Sequence, residues 1–169
     1  AIKYYSLIID SLDEENKIKA NLLYRWGGSF DRLKDYTSAD RDLQHSLKIN
    51  PSDAYVLNYL AYSWLERDYK INEAIEMLEE AYSKKSDDPY IIDSIGWAYY
   101  LIDDFNKAEN FLIRAVQLMP DDPIVIDHYG DILWKLNRKI QARYFWLMVL
   151  DMDDAEQKLK DNIENKLID

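Results

Sequence analysis

The chain has 169 residues, 48% hydrophobic and 31% charged, with four glycines and four prolines, which is the make-up of one folded domain and not of a disordered or low-complexity chain. Acids outnumber bases by 32 to 21, a formal net charge of −11 that repels phosphate backbones and anionic membranes and excludes nucleic acid as the expected partner. There is no cysteine, so disulfides, thiolate nucleophiles and zinc–thiolate sites are excluded together. No apolar run reaches the length of a membrane-spanning helix, and no membrane insertion is expected. Because the sequence opens on Ala1, a missing leader says nothing about compartment.

In chain order, residues 1–19 read as part of a preceding repeat, with 1–12 (AIKYYSLIIDSL) as its second helix. Four copies of a two-helix unit follow, at 20–53, 54–88, 89–122 and 123–156. Aligning Gly96 with Gly130 also pairs Pro89 with Pro123, Asp93 with Asp127 and Ala108 with Ala142, each 34 residues apart. The copy at 54–88 needs one extra residue in its internal turn, around Arg67–Ile71. Within a copy, Ile92, Ile95, Tyr99 and Ile102 recur at helical spacing, then Phe105, Ala108, Leu112, Ala115 and Val116 do so again. Ser52, Asp88 and Asp122 stand where helix N-caps are favoured, and Pro89 and Pro123 suit a first helical turn. Residues 154–169 read as a polar-faced capping helix carrying Leu159, Ile163 and Leu167 on one stripe. The fold class is all-α, across a single domain of residues 1–169.

Antiparallel helices approach closely only over small side chains. Gly27, Ala61, Gly96 and Gly130 are therefore expected to face Ala39, Ala74, Ala108 and Ala142, with Leu43, Trp64, Leu78, Tyr99, Leu112, Leu133 and Trp146 filling the space around them. A lone hairpin cannot bury its apolar face, so the copies are expected to stack on one another. This pattern resembles the tetratricopeptide repeat family, with its 34-residue period, best in the copy that holds Ile92, Ile95-Gly96, Tyr99, Ala108, Leu112, Ala115 and Pro120. The resemblance implies a right-handed superhelix whose first helices line a concave surface.

By helical spacing the side chains pointing away from the partner helix include Tyr24; Tyr55, Asn58 and Tyr62; Tyr90, Asp93, Trp97 and Tyr100; and Asp127, Asp131 and Trp134. These are the candidate ligand-binding residues. Aromatic rings give contact area at low entropic cost, while Asn and Asp hold backbone groups or cations. A protein or peptide partner with an apolar and basic segment is expected. Some members of the family grip a ligand carboxylate with Lys, Arg and Asn; the matching slots here hold Tyr24, Gly28, Tyr59, Tyr90 and Ser94, or one repeat later Asn58, Tyr62, Ser94, Ile124 and His128, so that mode is not expected. More narrowly, the run from Asn58-Tyr59-Leu60 through Asp93-Ser94-Ile95-Gly96-Trp97 to Asp127–Trp134 is similar to bacterial exported tetratricopeptide adaptors, some anchored at the outer membrane. That likeness implies a periplasmic or outer-membrane-associated scaffold, the other placement being cytoplasmic.

Blander roles compete with these. Trp26, Trp64 and Trp146 are expected in the core; Trp97 and Trp134 are open between groove and repeat-to-repeat packing; Asp93 and Asp127 are open between ligand contact and structural hydrogen bonding. Asp127, Asp131 and His128 share a neighbourhood but lack a metal-loop signature, and Asp151–Asp154 lacks the glycine of a calcium loop, so no metal or cofactor is expected. With His45 and His128 the sole histidines and no nucleophile elbow or phosphate loop, no catalytic residue is assigned and an enzyme is not expected. The leading expectation is a non-enzymatic binding scaffold. The other is an assembly module that self-associates through its terminal helices or convex face, including a homodimer through the N-terminal helix.

Overall fold

A computed structural model of the chain describes residues 12, 13 and 16–168, so the helix expected over 1–12, and the dimer contact expected of it, fall almost wholly outside the described residues. The chain divides between Lys85 and Ser86 into two compact units. The first holds α1 (Lys17–Arg32), α2 (Tyr36–Ile49), α3 (Ala54–Leu65) and α4 (Ile71–Lys84). The second holds α5 (Pro89–Leu101), α6 (Phe105–Leu118), α7 (Pro123–Lys135), α8 (Lys139–Leu150) and α9 (Gln157–Ile168). Helix is the one regular secondary structure among the described residues.

Local chemistry sets where each helix starts. Asp53, Asp88 and Asp122 each accept hydrogen bonds from two backbone N–H groups of the first turns of α3, α5 and α7. At the start of α3 the cap is therefore Asp53 and not its neighbour Ser52. Asn16, Asp35 and Asp104 cap α1, α2 and α6, each accepting from one backbone N–H, that of Ile18, Ser38 and Lys107 in turn. Within a hairpin, the turns at 33–35, 102–104 and 136–138 place Lys34, Asp103 and Asn137 in the left-handed region, at φ of 62°, 60° and 62°. The carbonyls of Phe30, Tyr99 and Leu133 then accept from Asp35, Asp104 and Arg138, closing the helix end. The second hairpin spends its extra residue in the longer turn 66–70, where Asp68 and Lys70 both take positive φ.

The seams are as tight as the small-residue pattern predicts. A Cβ added at Gly27 would lie 2.6 Å from Leu43 Cγ, at Gly96 2.8 Å from Leu112 Cγ, and at Gly130 2.5 Å from Trp146 Nε1. On the second helices Ala39, Ala74, Ala108 and Ala142 are wholly buried, as are Leu43, Leu78 and Leu112, and the Ala39 carbonyl oxygen lies 3.2 Å from the position of a Gly27 Cβ. Each such leucine contributes roughly 1.5–3 kcal/mol by leaving water. Ser46 occupies a slot held elsewhere by Ala81, Ala115 and Val149, and its hydroxyl donates to the Ala20 carbonyl at 2.8 Å, tying α2 to α1. Trp64 and Trp146 are core, whereas Trp26 is half-buried, edge-on to Phe30.

Candidate functional site

In the first unit the candidate side chains lie on α1 and α3. Tyr24 is half-buried and meets Tyr59 edge-on at 5.9 Å. Burial, with Asp53 nearby, holds the Tyr24 phenol above its ordinary pKa. Tyr55 is 49% exposed, with Lys85 Nζ 5.4 Å from its ring centre. Tyr62 is half-buried, and so is Asn58, whose Oδ1 is shut away from solvent without a hydrogen-bond donor. Between these residues runs a junction the sequence did not reveal. Asp31 of α1 accepts from the Ser63 hydroxyl and, at 3.4 Å, from Tyr59, both on α3.

In the second unit α5 and α7 bring most of the remaining candidates together. Asp93 is buried, and both its oxygens lie 3.0 Å from His128 Nδ1. A carboxylate only accepts, so Nδ1 carries the hydrogen. The His128 imidazole stacks on Trp97 at 4.2 Å and 11°, and Trp97 stacks in turn on Tyr100 at 4.6 Å and 10°. Burial pulls the His128 pKa down, but the Asp93 charge and hydrogen bond outweigh it and the net shift is upward. Asp127 and Asp131 converge on Lys166 of α9, whose Nζ donates to Asp127 at 2.8 and 2.9 Å and to Asp131 at 2.7 Å. Burial raises the Asp131 pKa, the Asp127 charge adds to that, and the Lys166 ammonium opposes it. Trp134 is half-buried, 5.3 Å from Trp146 and beneath Lys139 at 4.5 Å. Tyr90 alone of this set stands well into solvent, at 61% exposure.

Among the described residues, no group of three His, Cys, Asp or Glu side chains is placed to hold a metal ion, and no helix is long and apolar enough to cross a membrane. No family model matches the chain. Over 111 residues, 66% of its length, it is 32% identical to a TPR repeat-containing protein of Pseudomonas aeruginosa, of which it spans 19%. Over 85 residues it is 25% identical to the protein bimA of Emericella nidulans, spanning 10% of it. Among solved structures, MamA from Desulfovibrio magneticus superposes with a TM-score of 0.67 at 20% identity, over 82% of this chain and 77% of that one. YrrB, described as a TPR protein with an unusual peptide-binding site, superposes with a TM-score of 0.69 at 17% identity, over 88% and 74%.

The chain is built of tetratricopeptide repeats. In that frame the paired acids follow a rule. An aspartate on the first helix of one repeat accepts from a donor on the next first helix: Asp93 from His128 and Asp131 from Lys166, each 35 residues on, Asp127 from Lys166 at 39 and Asp31 from Ser63 at 32. Sequence reasoning misses Ser63, His128 and Lys166 as partners of these acids. The signal that finds them is a spacing of about one repeat, which brings successive first helices into side-chain reach.

Proposed function

We propose that this chain is a non-enzymatic tetratricopeptide scaffold that binds a protein or peptide segment on the faces of its first helices, through Tyr24, Tyr55, Asn58 and Tyr62 in one unit and Tyr90, Asp93, Trp97, Tyr100, Asp127, Asp131 and Trp134 in the other. The observation that carries the reading is the exposure of Tyr55 and Tyr90, at 49% and 61%, next to half-buried Tyr24, Tyr62, Trp97, Tyr100 and Trp134 on the same helix faces. Exposed tyrosine rings suit a ligand with apolar and basic side chains. The peptide-binding site ascribed to YrrB, a structural neighbour, agrees with this use of the fold.

The test is affinity capture from cell extract with Tyr55→Ala, Tyr90→Ala and the double variant. Both rings are exposed, so helicity should persist while a wild-type partner is lost. Retention of every wild-type partner by the double variant refutes the reading. Trp97 is a poorer probe, because its stacking on His128 and Tyr100 makes it part of the packing.

A second reading, self-association through the convex side, has one specific support. Ile140, Tyr144 and Leu147 line a stripe of α8 at 87%, 62% and 51% exposure. Light scattering over a concentration series decides it: a dimer that Tyr144→Glu dissolves supports it, and a strict monomer removes it.

A further inference from the structure

We propose that the surface of α7 and α8 beneath α9 is a docking site for a partner helix that presents an aliphatic side chain and, three residues later, a lysine, and that α9 is the built-in occupant such a helix displaces. This deepens the reading above, and rests on it, by naming what the α7 end of the candidate face accepts.

The observations concern how α9 is held. Ile163 is its one wholly buried side chain; Leu159, Lys166 and Leu167 are half-buried, and the charged residues between them are mostly in solvent. Lys166 reaches across to α7 and places its ammonium between two carboxylates, giving Asp127 two contacts and Asp131 one. The same ammonium lies 5.5 Å from the Trp146 ring of α8, and Arg143 of α8 donates to the Leu167 carbonyl at 2.7 Å. Beside Lys166 a cavity of about 160 Å³ remains open, lined by Tyr100, Asp131, Trp134 and Trp146. Three of the candidate binding residues, Asp127, Asp131 and Trp134, are thus engaged or bordered by the chain's own helix.

Two features make α9 exchangeable. It spans 12 residues, below the length at which an isolated helix holds in water, so its helicity depends on docking. It begins 34 residues after α7, in the register of a first helix, yet Glu164 stands at the slot that Gly27, Ala61, Gly96 and Gly130 occupy in the others. It lacks the small-residue seam by which those helices hold a partner of their own. Beside the half-buried Leu159 and Leu167 and the Arg143 contact, α9 is seated by one wholly buried aliphatic side chain and one ammonium three residues apart, and a helix repeating that pair meets the same apolar contact and the same two carboxylates.

The test uses the full chain and a fluorescent peptide with the sequence of residues 154–168, read by anisotropy. Loosening the resident helix with Ile163→Ala and Lys166→Ala should raise affinity for the peptide at least tenfold over wild type. Replacing the peptide's own lysine at the Lys166 position by methionine, or adding Asp127→Asn and Asp131→Asn to the loosened chain, should remove that gain. Equal binding to wild type and the loosened chain, or indifference to the two aspartates, overturns the proposal. Amide hydrogen exchange on the unmodified chain gives a second check. With peptide added, α9 should lose protection while α7 keeps it; α9 amides that stay as protected as those of α7 also overturn it. These readouts use no natural partner, so failed capture in the Tyr55 and Tyr90 experiment and failed peptide exchange are distinguishable outcomes.

Discussion

At the scale of single residues, two features govern what the first helices tolerate. A methyl group at Gly130 would meet the Trp146 indole at 2.5 Å, and that ring, 2% exposed, has no room to retreat. At Gly28 the nearest atom is the Tyr59 ring edge at 3.3 Å, a side chain half-buried and able to give. Alanine gains about 1 kcal/mol of helix propensity over glycine at either place, and overpacking a fixed core costs roughly 1–3 kcal/mol. The close approach to a fixed indole puts Gly130 in the upper part of that cost range, at roughly 2–3 kcal/mol, so Gly130→Ala should lower stability by about 1–2 kcal/mol net in urea unfolding, while Gly28→Ala leaves it unchanged or raised. A Gly130→Ala chain as stable as wild type would contradict the seam. His128 is the second feature. Its pKa is raised in the folded chain because Asp93, then Asp127 and Asp131, outweigh the pull of burial. A raised histidine pKa stabilises fully below the unfolded value near 6.5, and the contribution is lost as pH rises through the folded value. The stability difference between wild type and His128→Gln should be largest in mild acid and shrink toward alkaline pH, measured as urea midpoints from pH 5.5 to 9. A difference that does not change with pH would mean that the imidazole stays neutral throughout.

At the scale of elements, helix starts rest on single carboxylates. Asp53 accepts from the Tyr55 and Val56 N–H groups and also from the Asn50 side chain. Asp53→Ala should cost about 1 kcal/mol, up to 2, and lower Tm by roughly 2–4 °C for each kcal/mol lost in a chain of this size. Ser52→Ala, at an exposed position, should leave Tm in place. If the serine variant loses the stability instead, the cap has been misassigned. This position also shows how the sequence is legible and where it stops being so. At α5 and α7 the cap sits directly before Pro89 and Pro123, and the proline marks the first helical residue. Before α3 that marker is Ala54, two good capping residues stand side by side, and composition alone chooses the wrong one. The seams are fully readable, because Gly–Leu and Gly–Trp contacts follow from the period. The extra residue in the second turn is readable too, and it is absorbed where two residues adopt positive φ.

At the scale of the whole molecule, periodicity tells which side chains share a face but not which of them a neighbour already satisfies. Asp93, Asp127 and Asp131 are each met by His128 or Lys166, because donors one repeat away enter a range that a single helical wheel does not represent. The same accounting bears on charge. Among the described residues Arg67 pairs with Asp40, Arg138 with Glu109 and Lys166 with Asp127 and Asp131, and the net charge of −11 still leaves a large excess of acids facing solvent. Their mutual repulsion opposes the compact state. Salt shortens the screening length from about 10 Å at 0.1 M to about 3 Å at 1 M, which weakens repulsion between exposed acids more than the part-buried attraction at Lys166. Sodium chloride should therefore raise Tm up to about 0.5 M. The gain should shrink in a variant that replaces exposed Glu76 and Glu80 of α4 by glutamine, since less repulsion remains to be screened. A fall in Tm with salt would mean that attractive surface pairs, rather than the acid excess, dominate the electrostatics of the folded chain.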